Sequence, residues 1–394
     1  MAGEEFFSNT MKELREKRLE WTLRSLETAS GARGKVEGKK VIIFCSNNYL
    51  GLSNHPALKK AAISAVKKYG AGSGSVRAIA GTMDLHLKLE KEIAKFKGTE
   101  AATYYQTGFA VNAGMIPAMM LEGDLIISDE LNHGSIIDGM RLSKAERRVF
   151  PHKDMEKLRE ALEESDKKNY GKKLVVTDGV FSMDGDIAPL DKIEKIAHEH
   201  NAMVYVDDAH GDGVLGPKGK GITHHFHLQG KIEFEMGTFS KAFGVMGGYV
   251  CGKKEICDFA YNKSRTWLLS GSSPPATVAA CIASLKLLEK NEAFVKKLWK
   301  NTAYFKKELK ELGFDTGQSE TPITPIMLGE SATAVRFSQR LFEEGVFALP
   351  IIFPMVAKDK ARIRTMVSAA HSKEDLDEAL EKFEKIGKEL GVLA

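Results

Sequence analysis

Short apolar runs alternate with amphipathic segments through the middle of the chain. Between the runs lie segments of helical period, such as "KDMEKLREALEESDKK", in which Met155, Leu158 and Leu162 share one side. This alternation predicts an α/β domain with a mostly parallel sheet covered by helices. The strand-like runs are "EAATYYQ", "DLIISD", "KKLVVTDGV", "AMVYVDD", "FEMGTF" and "GGYVCG".

The pattern changes after about residue 275. Two long amphipathic segments, "PPATVAACIASLKLLEK" and "AFVKKLWKNTAYFKKELKELG", precede short strand-like runs. A final helix follows, with Leu376, Leu380 and Phe383 on one face. We therefore predict an N-terminal arm and helix at 1–45, a large α/β domain at 46–275 and a smaller α+β domain at 276–394.

Composition and charge narrow the class of protein. The 57 basic and 53 acidic residues interleave, which predicts a solvated surface and no nucleic-acid partner. No apolar run reaches the length of about 18 residues that a membrane helix needs, and no signal-peptide core is visible. The four cysteines lack paired spacing, so we expect reduced thiols in a cytoplasmic protein. The histidines of "HHFH" (224–227) are expected to be exposed loop residues, and no metal site is predicted.

One lysine, Lys241, lies inside a run of small residues, "GTFSKAFGVMGGYV". Burial lowers the pKa of a lysine, and the neutral amine then reacts with carbonyl groups. Small neighbours also leave room for a large planar cofactor such as pyridoxal phosphate. That cofactor further needs a carboxylate partner, a stacking surface and a phosphate site. A buried turn or a surface lysine is the alternative reading of this run.

A carboxylate and an imidazole follow the strand-like run "VYVDD". Ligands of open α/β sheets gather at the carboxyl ends of strands. Asp207 and His210 are three residues apart and can face one side of a turn. Asp207 is therefore expected to hold the pyridine nitrogen, and His210 to bond the phenolic oxygen. A helix cap or a salt bridge is the alternative role of Asp207.

Two further strand ends carry suitable groups. Gly108 and Phe109 begin an apolar helix, where free N–H groups bind anions, so they are candidates for the phosphate site. His133 follows the "DLIIS" run, where its ring can stack on a cofactor or serve a structural role. These groups fall at successive strand ends of one predicted domain.

The chain resembles the α-oxoamine synthases, fold-type I pyridoxal-phosphate enzymes that condense an amino acid with an acyl-CoA. The match covers nearly the whole chain and rests on seven motifs in the family's order. They are "FCSNNYLGLSNHP" (44–56), "SVRAIAGTMDLHLKLE" (75–90), "NHGSIIDG" (132–139), "TDGVFSMDGDIAPL" (177–190), "VDDAHGDGVLG" (206–216), "GTFSKAFGVMGGY" (237–249) and "ARIRTMVSAAH" (361–371).

The resemblance implies roles for individual residues. Lys241 would bind pyridoxal 5'-phosphate as an aldimine and, once freed, remove the α-proton of the substrate. Arg364 would hold the substrate carboxylate with its planar guanidinium, and Asn48 would be a second contact. The catalytic set is Lys241, His133, Asp207 and His210. The other implied cofactor contacts are Gly108, Phe109, Ser182, Thr238, Ser240 and, across the subunit boundary of a homodimer with shared active sites, Gly271 and Ser272.

Within the family, the motifs look most like those of glycine C-acetyltransferases. This likeness implies condensation of glycine with acetyl-CoA to 2-amino-3-ketobutyrate and CoA, in threonine and glycine metabolism. Phe239 and Ser240 depart from that branch and look like sphingoid-base synthases. The alternatives are an 8-amino-7-oxononanoate synthase, which would use alanine and pimeloyl-CoA, or a decarboxylating condensation with a longer acyl-CoA. A catalytically silent partner subunit is a further alternative, which the retained Lys241 disfavours.

Overall fold

The computed structural model describes residues 2–16, 20 and 23–393. Its strands are β1 (Arg33–Val36), β2 (Lys39–Ile43), β3 (Ala101–Tyr105), β4 (Leu125–Asp129), β5 (Glu146–Phe150), β6 (Lys173–Asp178), β7 (Met203–Asp207), β8 (Phe234–Thr238), β9 (Gly248–Gly252), β10 (Ile323–Gly329), β11 (Val346–Phe347), β12 (Leu349–Ile351) and β13 (Ala361–Met366). Its α-helices are α1 (Ala2–Glu16), α2 (Pro56–Tyr69), α3 (Asp84–Lys97), α4 (Gly108–Met119), α5 (Gly134–Leu142), α6 (Met155–Asp166), α7 (Leu190–Glu199), α8 (Ile222–His225), α9 (Lys254–Lys263), α10 (Arg265–Leu268), α11 (Pro275–Lys290), α12 (Ala293–Glu311), α13 (Ser331–Glu343) and α14 (Lys373–Glu389).

Seven strands form the central sheet, in the order β3-β9-β8-β7-β6-β4-β5. The neighbours from β8 to β5 are parallel, whereas β9 runs antiparallel to both β8 and β3. All six strand-like runs of the sequence are strands of this sheet, so the predicted α/β domain is confirmed. Strand β5 was not predicted, because its sequence "ERRVF" is polar and mostly exposed at the sheet edge.

Each face of the sheet packs against its own set of helices. Because side chains alternate along a strand, Val175 and Val204 join one apolar cluster, while Val176 and Tyr205 join the other. The first cluster also contains residues of α3, α6, α7 and α11, and the second contains residues of α4 and α5. Burial on both faces explains why the central strands are almost continuously apolar.

A second, smaller layer contains two three-stranded sheets, β1-β2-β11 and β10-β13-β12, with α12, α13 and α14. Its core includes Leu376, Leu380 and Phe383, the face predicted for the last helix. The N-terminal strand β2 pairs with β11 in this layer. Helix α11 begins at the predicted boundary, residue 275, and packs against α2 and α3. The domain boundaries stay a prediction, and residues 1, 17–19 and 21–22 of the predicted arm lie outside the described residues.

The "HHFH" segment departs from its predicted exposure. His224 belongs to the short helix α8 and is 8 % exposed. Its ring nitrogens bond the carbonyl of Lys97 and the side chain of Gln229. His225 and His227 are exposed, as expected. The prediction was therefore wrong for His224, because the segment turns back onto the end of α3 and buries that one ring.

One imidazole joins three strand ends at the carboxyl edge of the sheet. His152 follows β5, and its Nδ1 lies 3.0 Å from Asp129 Oδ1 at the end of β4. Its Nε2 lies 2.9 Å from Asp186 Oδ2 in the loop after β6. The ring also meets Phe181 edge to face. Although burial opposes protonation, these two carboxylates raise the pKa of His152 to about 9.

We expect the protein to lose stability in mildly alkaline solution. The pKa of His152 is raised in the folded state, so its contribution is full below its ordinary value of 6.5 and is lost as the pH rises through about 9. The thermal midpoint should therefore fall between pH 7 and pH 10, and fall less in a His152→Gln variant. Equal falls in the two proteins would contradict this assignment.

Candidate active site

A pocket of about 610 Å³, counting the space open to solvent at its mouth, lies at the carboxyl edge of the central sheet. It opens among the ends of β3, β4, β6, β7 and β8 and the residues that follow them. The lining residues are Thr107, Gly108, Phe109, His133, Ser135, Asp178, Ser182, Asp207, Ala209, His210, Met236, Thr238, Ser240 and Lys241. Nine residues predicted from the sequence thus come together in one place.

Lys241 lies in the connection between β8 and β9. This connection folds back on itself, because Phe239 N–H bonds the carbonyl of Gly247 and Gly244 N–H bonds that of Lys241. Gly244 has φ +71°, and a Cβ there would lie 2.4 Å from the backbone nitrogen of Ser53, so a side chain has no room. Burial lowers the pKa of Lys241 to about 8, against the opposing charges of Asp207 and Asp178. At pH 7 roughly one in ten of these amines is therefore neutral, a far larger fraction than for an ordinary lysine.

The carboxylate of Asp207 is fixed by its neighbours at the end of β7. Its Oδ1 accepts the N–H of Ala209 at 3.0 Å, and its Oδ2 accepts Asn112 Nδ2 at 2.7 Å. Asn112 Oδ1 in turn accepts the hydroxyl of Tyr205 at 2.8 Å. Because Asn112 is fully buried, this chain holds the carboxylate in one orientation toward the pocket.

Replacing Asn112 with leucine should weaken cofactor binding about tenfold, because Asp207 Oδ2 and the Tyr205 hydroxyl then lose a buried partner. Titration of apoprotein with pyridoxal phosphate measures this loss. The matched control is Asn262→Leu, since Asn262 is exposed and, within the described part of the chain, its amide bonds a carbonyl of its own helix. Equal affinities of the two variants would show that Asn112 does not position the carboxylate.

Asp178 is a pocket residue that was not predicted. It ends β6 directly beside Asp207 in the parallel register, and its Oδ2 accepts the N–H of His133 at 2.9 Å. Burial, and then the charge of Asp207, raise the pKa of Asp178 well above its ordinary value. The strand end "LVVTD" carries the same signal as "VYVDD", so the sequence does contain a sign of this residue.

The two predicted histidines face the pocket from different surroundings. His133 caps the start of α5, with Nδ1 2.7 Å from the hydroxyl of Ser135. His210 is 7 % exposed, and its Nδ1 lies 2.7 Å from the hydroxyl of Tyr49. Burial lowers the pKa of both rings, and that of His210 well below its ordinary value, with Lys241 and Arg364 adding to the effect. His210 is therefore neutral.

The start of α4 is a candidate anion site. Thr107 caps this helix by accepting the N–H of Ala110. The N–H groups of Gly108 and Phe109 lie in the first turn of the helix, where no earlier helical residue offers them a carbonyl. They are therefore available to a bound anion. Thr238 and Ser240 bring hydroxyl groups to the same pocket and lie 3.1 Å apart, oxygen to oxygen.

Arg364 reaches the pocket region from β13 of the smaller layer. It influences the pKa of Lys241, His133 and His210 through its charge. Its Nη2 donates to Asn47 Oδ1 at 2.7 Å, and no carboxylate of the described residues lies within 4 Å of the guanidinium. A mostly buried guanidinium without an acidic partner suits the carboxylate of a ligand.

Three other predicted residues lie elsewhere. The side chain of Asn48 bonds Ser53 Oγ and the carbonyl of Ser30, so the structure places Asn47, not Asn48, against Arg364. Gly271 and Ser272 do not line the pocket of their own chain. The Gly271 carbonyl accepts Gln106 Nε2, and Ser272 N–H bonds the carbonyl of Ser75. Their predicted contact across a subunit boundary stays a prediction.

The donor set fits pyridoxal phosphate. A buried amine with a lowered pKa suits the aldehyde, and an oriented carboxylate suits a protonated pyridine nitrogen. The free N–H groups at α4 suit the phosphate. A Cβ at Gly108 would lie 2.7 Å from Cε of Met236, the end of a flexible side chain that also lines the pocket.

Comparison with known proteins agrees with this geometry. The family model of class I and II aminotransferases matches residues 39–383. A curated 8-amino-7-oxononanoate synthase of Thermosipho melanesiensis is 54% identical over 387 residues, with 98% of each chain covered. The chain belongs to the α-oxoamine synthases. These are acyltransferases of fold type I that use pyridoxal phosphate and pair an amino acid with an acyl-CoA.

Other α-oxoamine synthases are similar over most of their length. The 8-amino-7-oxononanoate synthase of Thermoanaerobacter pseudethanolicus is 52% identical, covering 99% of this chain and 98% of its own. A serine palmitoyltransferase of S. paucimobilis with a bound PLP-myriocin aldimine superposes with a TM-score of 0.93 at 29% identity, covering 100% and 99%. The 8-amino-7-oxononanoate synthase of Francisella tularensis gives a TM-score of 0.74 at 29% identity, covering 89% and 98%.

The expected glycine C-acetyltransferase activity is wrong. Eight curated α-oxoamine synthases, 50–54% identical over 97–100% of this chain, are all 8-amino-7-oxononanoate synthases. This finding favours the alternative within the family. Glycine and acetyl-CoA are therefore no longer supported as substrates, and neither is a role in threonine degradation.

Within the described ranges, no helix combines the length and apolar character needed to cross a membrane.

Proposed function

We propose that this α-oxoamine synthase condenses alanine with pimeloyl-CoA and releases 8-amino-7-oxononanoate, CoA and carbon dioxide. The observation that carries the proposal is the shared name of the eight relatives that match nearly the full chain. The free thiols of the four cysteines support a reaction in the cytoplasm.

The carbon count of the product supports this substrate pair. The product is a nine-carbon acid with a ketone and an amine on neighbouring carbons near one end. A seven-carbon dicarboxylic acyl group supplies the chain from the acid to the ketone. Alanine supplies the last two carbons and the amine, after its carboxyl group has left as carbon dioxide.

The cofactor and Lys241 divide the chemistry at the α-carbon. Pyridoxal phosphate, when bound, supplies an electron sink for the negative charge that develops on that carbon. Lys241 Nζ would hold the cofactor covalently and, as a free amine, would accept the α-proton of the substrate. Its pKa of about 8 suits a base that works near neutral pH.

Other pocket residues bind and orient the reactants. Asp207, held by Asn112, would pair with the ring nitrogen, and the neutral His210 would bond the phenolic oxygen. The ring of His133 would stack on the cofactor. Ser182 would contact the phenolic oxygen, and Gly108, Phe109, Thr238 and Ser240 would hold the phosphate; these five residues line the pocket.

Arg364 binds the carboxylate of the amino acid. Its planar guanidinium offers two parallel N–H donors, and Asn47 fixes one of its nitrogens from the side. This grip orients the α-proton toward Lys241. The contact between Arg364 and the carboxylate ends when the carboxylate leaves as carbon dioxide, after the carbon–carbon bond has formed.

The proposal includes a homodimer with two active sites near one two-fold interface. Gly271 and Ser272 would complete the phosphate site of the neighbouring subunit. The Ser272 hydroxyl does not line the pocket of its own chain and instead bonds the hydroxyl of Ser73. Cross-linking through cysteines placed at residue 271 and in the phosphate site would test this arrangement.

A matrix of amino acids and acyl-CoA chain lengths tests the function. We expect alanine with pimeloyl-CoA to give the largest thiol release, with one carbon dioxide per CoA and a product of the mass of 8-amino-7-oxononanoate. Serine with palmitoyl-CoA and glycine with acetyl-CoA are comparison pairs. Greater kcat/KM for either comparison pair, or CoA release without carbon dioxide, would refute the proposal.

A further inference from the structure

A buried ionic cluster lies behind the active site, and the chemistry assigned above does not use it. Lys97, the last residue of α3, is 1 % exposed. Its Nζ lies 3.3 Å from Asp208 Oδ2, 3.0 Å from Asp212 Oδ1 and 3.3 Å from Glu235 Oε2. It also donates to the carbonyl of Lys220 at 2.8 Å. These three carboxylates are no more than 2 % exposed.

The carboxylates have their own partners around Lys97. Tyr249 donates to Asp212 Oδ2 at 2.5 Å, and the hydroxyl of Thr223 donates to Glu235 Oε2 at 2.9 Å. The N–H of Ile222 donates to Asp208 Oδ2 at 2.9 Å. Asp208 Oδ1 has no hydrogen-bond partner among the described residues. The cluster is thus specific in its geometry and not fully satisfied.

Glycines leave no space around these groups. A Cβ at Gly221 would lie 1.9 Å from Asp208 Oδ2 and 2.6 Å from Lys97 Nζ. A Cβ at Gly211 would lie 1.9 Å from Asp208 Oδ1, and one at Gly237 would lie 2.1 Å from Asp212 Oδ2. Such close packing fixes the carboxylates and excludes solvent from them.

The cluster and the pocket share one turn and one strand. Asp208 and Asp212 flank Ala209 and His210, and the N–H of Asp212 bonds the carbonyl of Asp208 to close the turn. Along β8, Glu235 joins the cluster, whereas its neighbour Met236 lines the pocket. Alternation along the chain therefore places the residues that line the pocket on one side and the carboxylates of the ionic cluster on the other.

Burying several charges costs free energy that well-packed apolar side chains would avoid, so general stability does not account for the cluster. What the ion pairs do supply is one defined conformation of the turn. The Lys97 ammonium donates to Asp208 and Asp212 at both ends of the turn and forms an ion pair with Glu235 of β8, so it connects α3 to the turn and to β8. Displacement of Lys97 would release the segment that carries Asp207 and His210.

We propose that Lys97 is a positioning residue that, through Asp208, Asp212 and Glu235, holds Asp207 and His210 in their cofactor-binding geometry. It acts from behind the pocket and does not contact the reactants. The assignment does not depend on which amino acid and acyl-CoA the enzyme uses, so the proposed function and this role can fail separately.

The test compares Lys97→Met with Lys95→Met. Methionine keeps most of the volume of Lys97 and removes its charge. Lys95 is exposed on the same helix and pairs with Glu289 at the surface. We expect Lys97→Met apoprotein to bind pyridoxal phosphate about tenfold or more weakly than the parent, and Lys95→Met to bind within about twofold of it.

A second readout separates positioning from folding. The visible circular dichroism per bound cofactor, measured at saturating pyridoxal phosphate, reports the orientation of the ring and not the fraction of folded protein. It should fall in Lys97→Met. Parent-like affinity, or weaker affinity with unchanged dichroism per bound cofactor, would overturn the role.

Asp208→Asn serves if Lys97→Met does not fold. This change keeps the shape of the side chain and removes the carboxylate next to Asp207 that pairs with Lys97. We expect about threefold weaker cofactor binding and lower visible dichroism per bound cofactor, with the far-ultraviolet spectrum unchanged. A folded Asp208→Asn protein with parent values of both would overturn the proposal.

Discussion

Replacing Lys241 with alanine is expected to reduce turnover about 10⁴-fold, because the substitution removes both the covalent attachment of the cofactor and the base for the α-proton. Thiol release from pimeloyl-CoA in the presence of alanine measures the loss. In the parent, borohydride should fix the cofactor onto the peptide that contains residue 241, and mass spectrometry should find that peptide unmodified in the variant.

Lys253→Ala is the matched control, since Lys253 is exposed just before α9. It should keep parent activity and the modified peptide. Substantial turnover by Lys241→Ala would show that another group removes the proton. A borohydride-fixed cofactor on a different lysine would move the covalent site away from residue 241.

The second large effect is expected at Arg364. Arg364→Ala should lower kcat/KM for alanine about 10²-fold or more, mainly through KM, because the substrate carboxylate loses its charged partner in a desolvated site. Arg364→Lys should recover only part of this, since an ammonium cannot form the paired donors of a guanidinium. Initial rates over a range of alanine concentrations at saturating acyl-CoA measure the effect.

Arg336→Ala, an exposed position on α13, is the control for the loss of one positive charge. The KM for pimeloyl-CoA should change little in Arg364→Ala. An equal rise in both Michaelis constants would mean that Arg364 supports the fold of the pocket and does not bind the amino-acid carboxylate.

Much of the site could be predicted because strand ends are visible in a sequence. Five of the six apolar runs of the central sheet end in the residue or turn that lines the pocket, as with Asp207 after "VYV" and His133 after "DLIIS". A parallel sheet then brings these ends to one edge. Local pattern and sheet topology are therefore together sufficient to group Lys241 with Asp207, His210 and His133.

Contacts between distant segments could not be predicted in this way. Asn47 and Asn48 are adjacent and chemically identical, and only the fold shows that Asn47 meets Arg364. The bond from Asn112 to Asp207 joins residues 95 positions apart, and Asn112 lies in a helix whose sequence is otherwise typical of an apolar core. Such pairs depend on packing angles that no local pattern contains.

The substrate branch was misjudged for a related reason. The motifs surround the cofactor, which every branch shares, so they carry little information about the acyl chain. Phe239, taken from the sequence as a sign of branch, is fully buried and packs against Tyr104, Phe243 and Tyr249. It does not line the pocket, so its identity reflects core packing more than substrate choice.

The pairing of β2 with β11 has a consequence for synthesis on the ribosome. Arg33 of β1, the strand beside β2, bonds Asp375, 342 positions later. At a translation rate of about 5–20 residues per second, the N-terminal strands wait roughly 20–70 s for their partners. The large sheet can form during that interval, while β2 exposes an apolar edge that invites premature association. A nascent-chain chaperone that shields residues 39–44 would therefore raise the yield of active enzyme most when translation is slow.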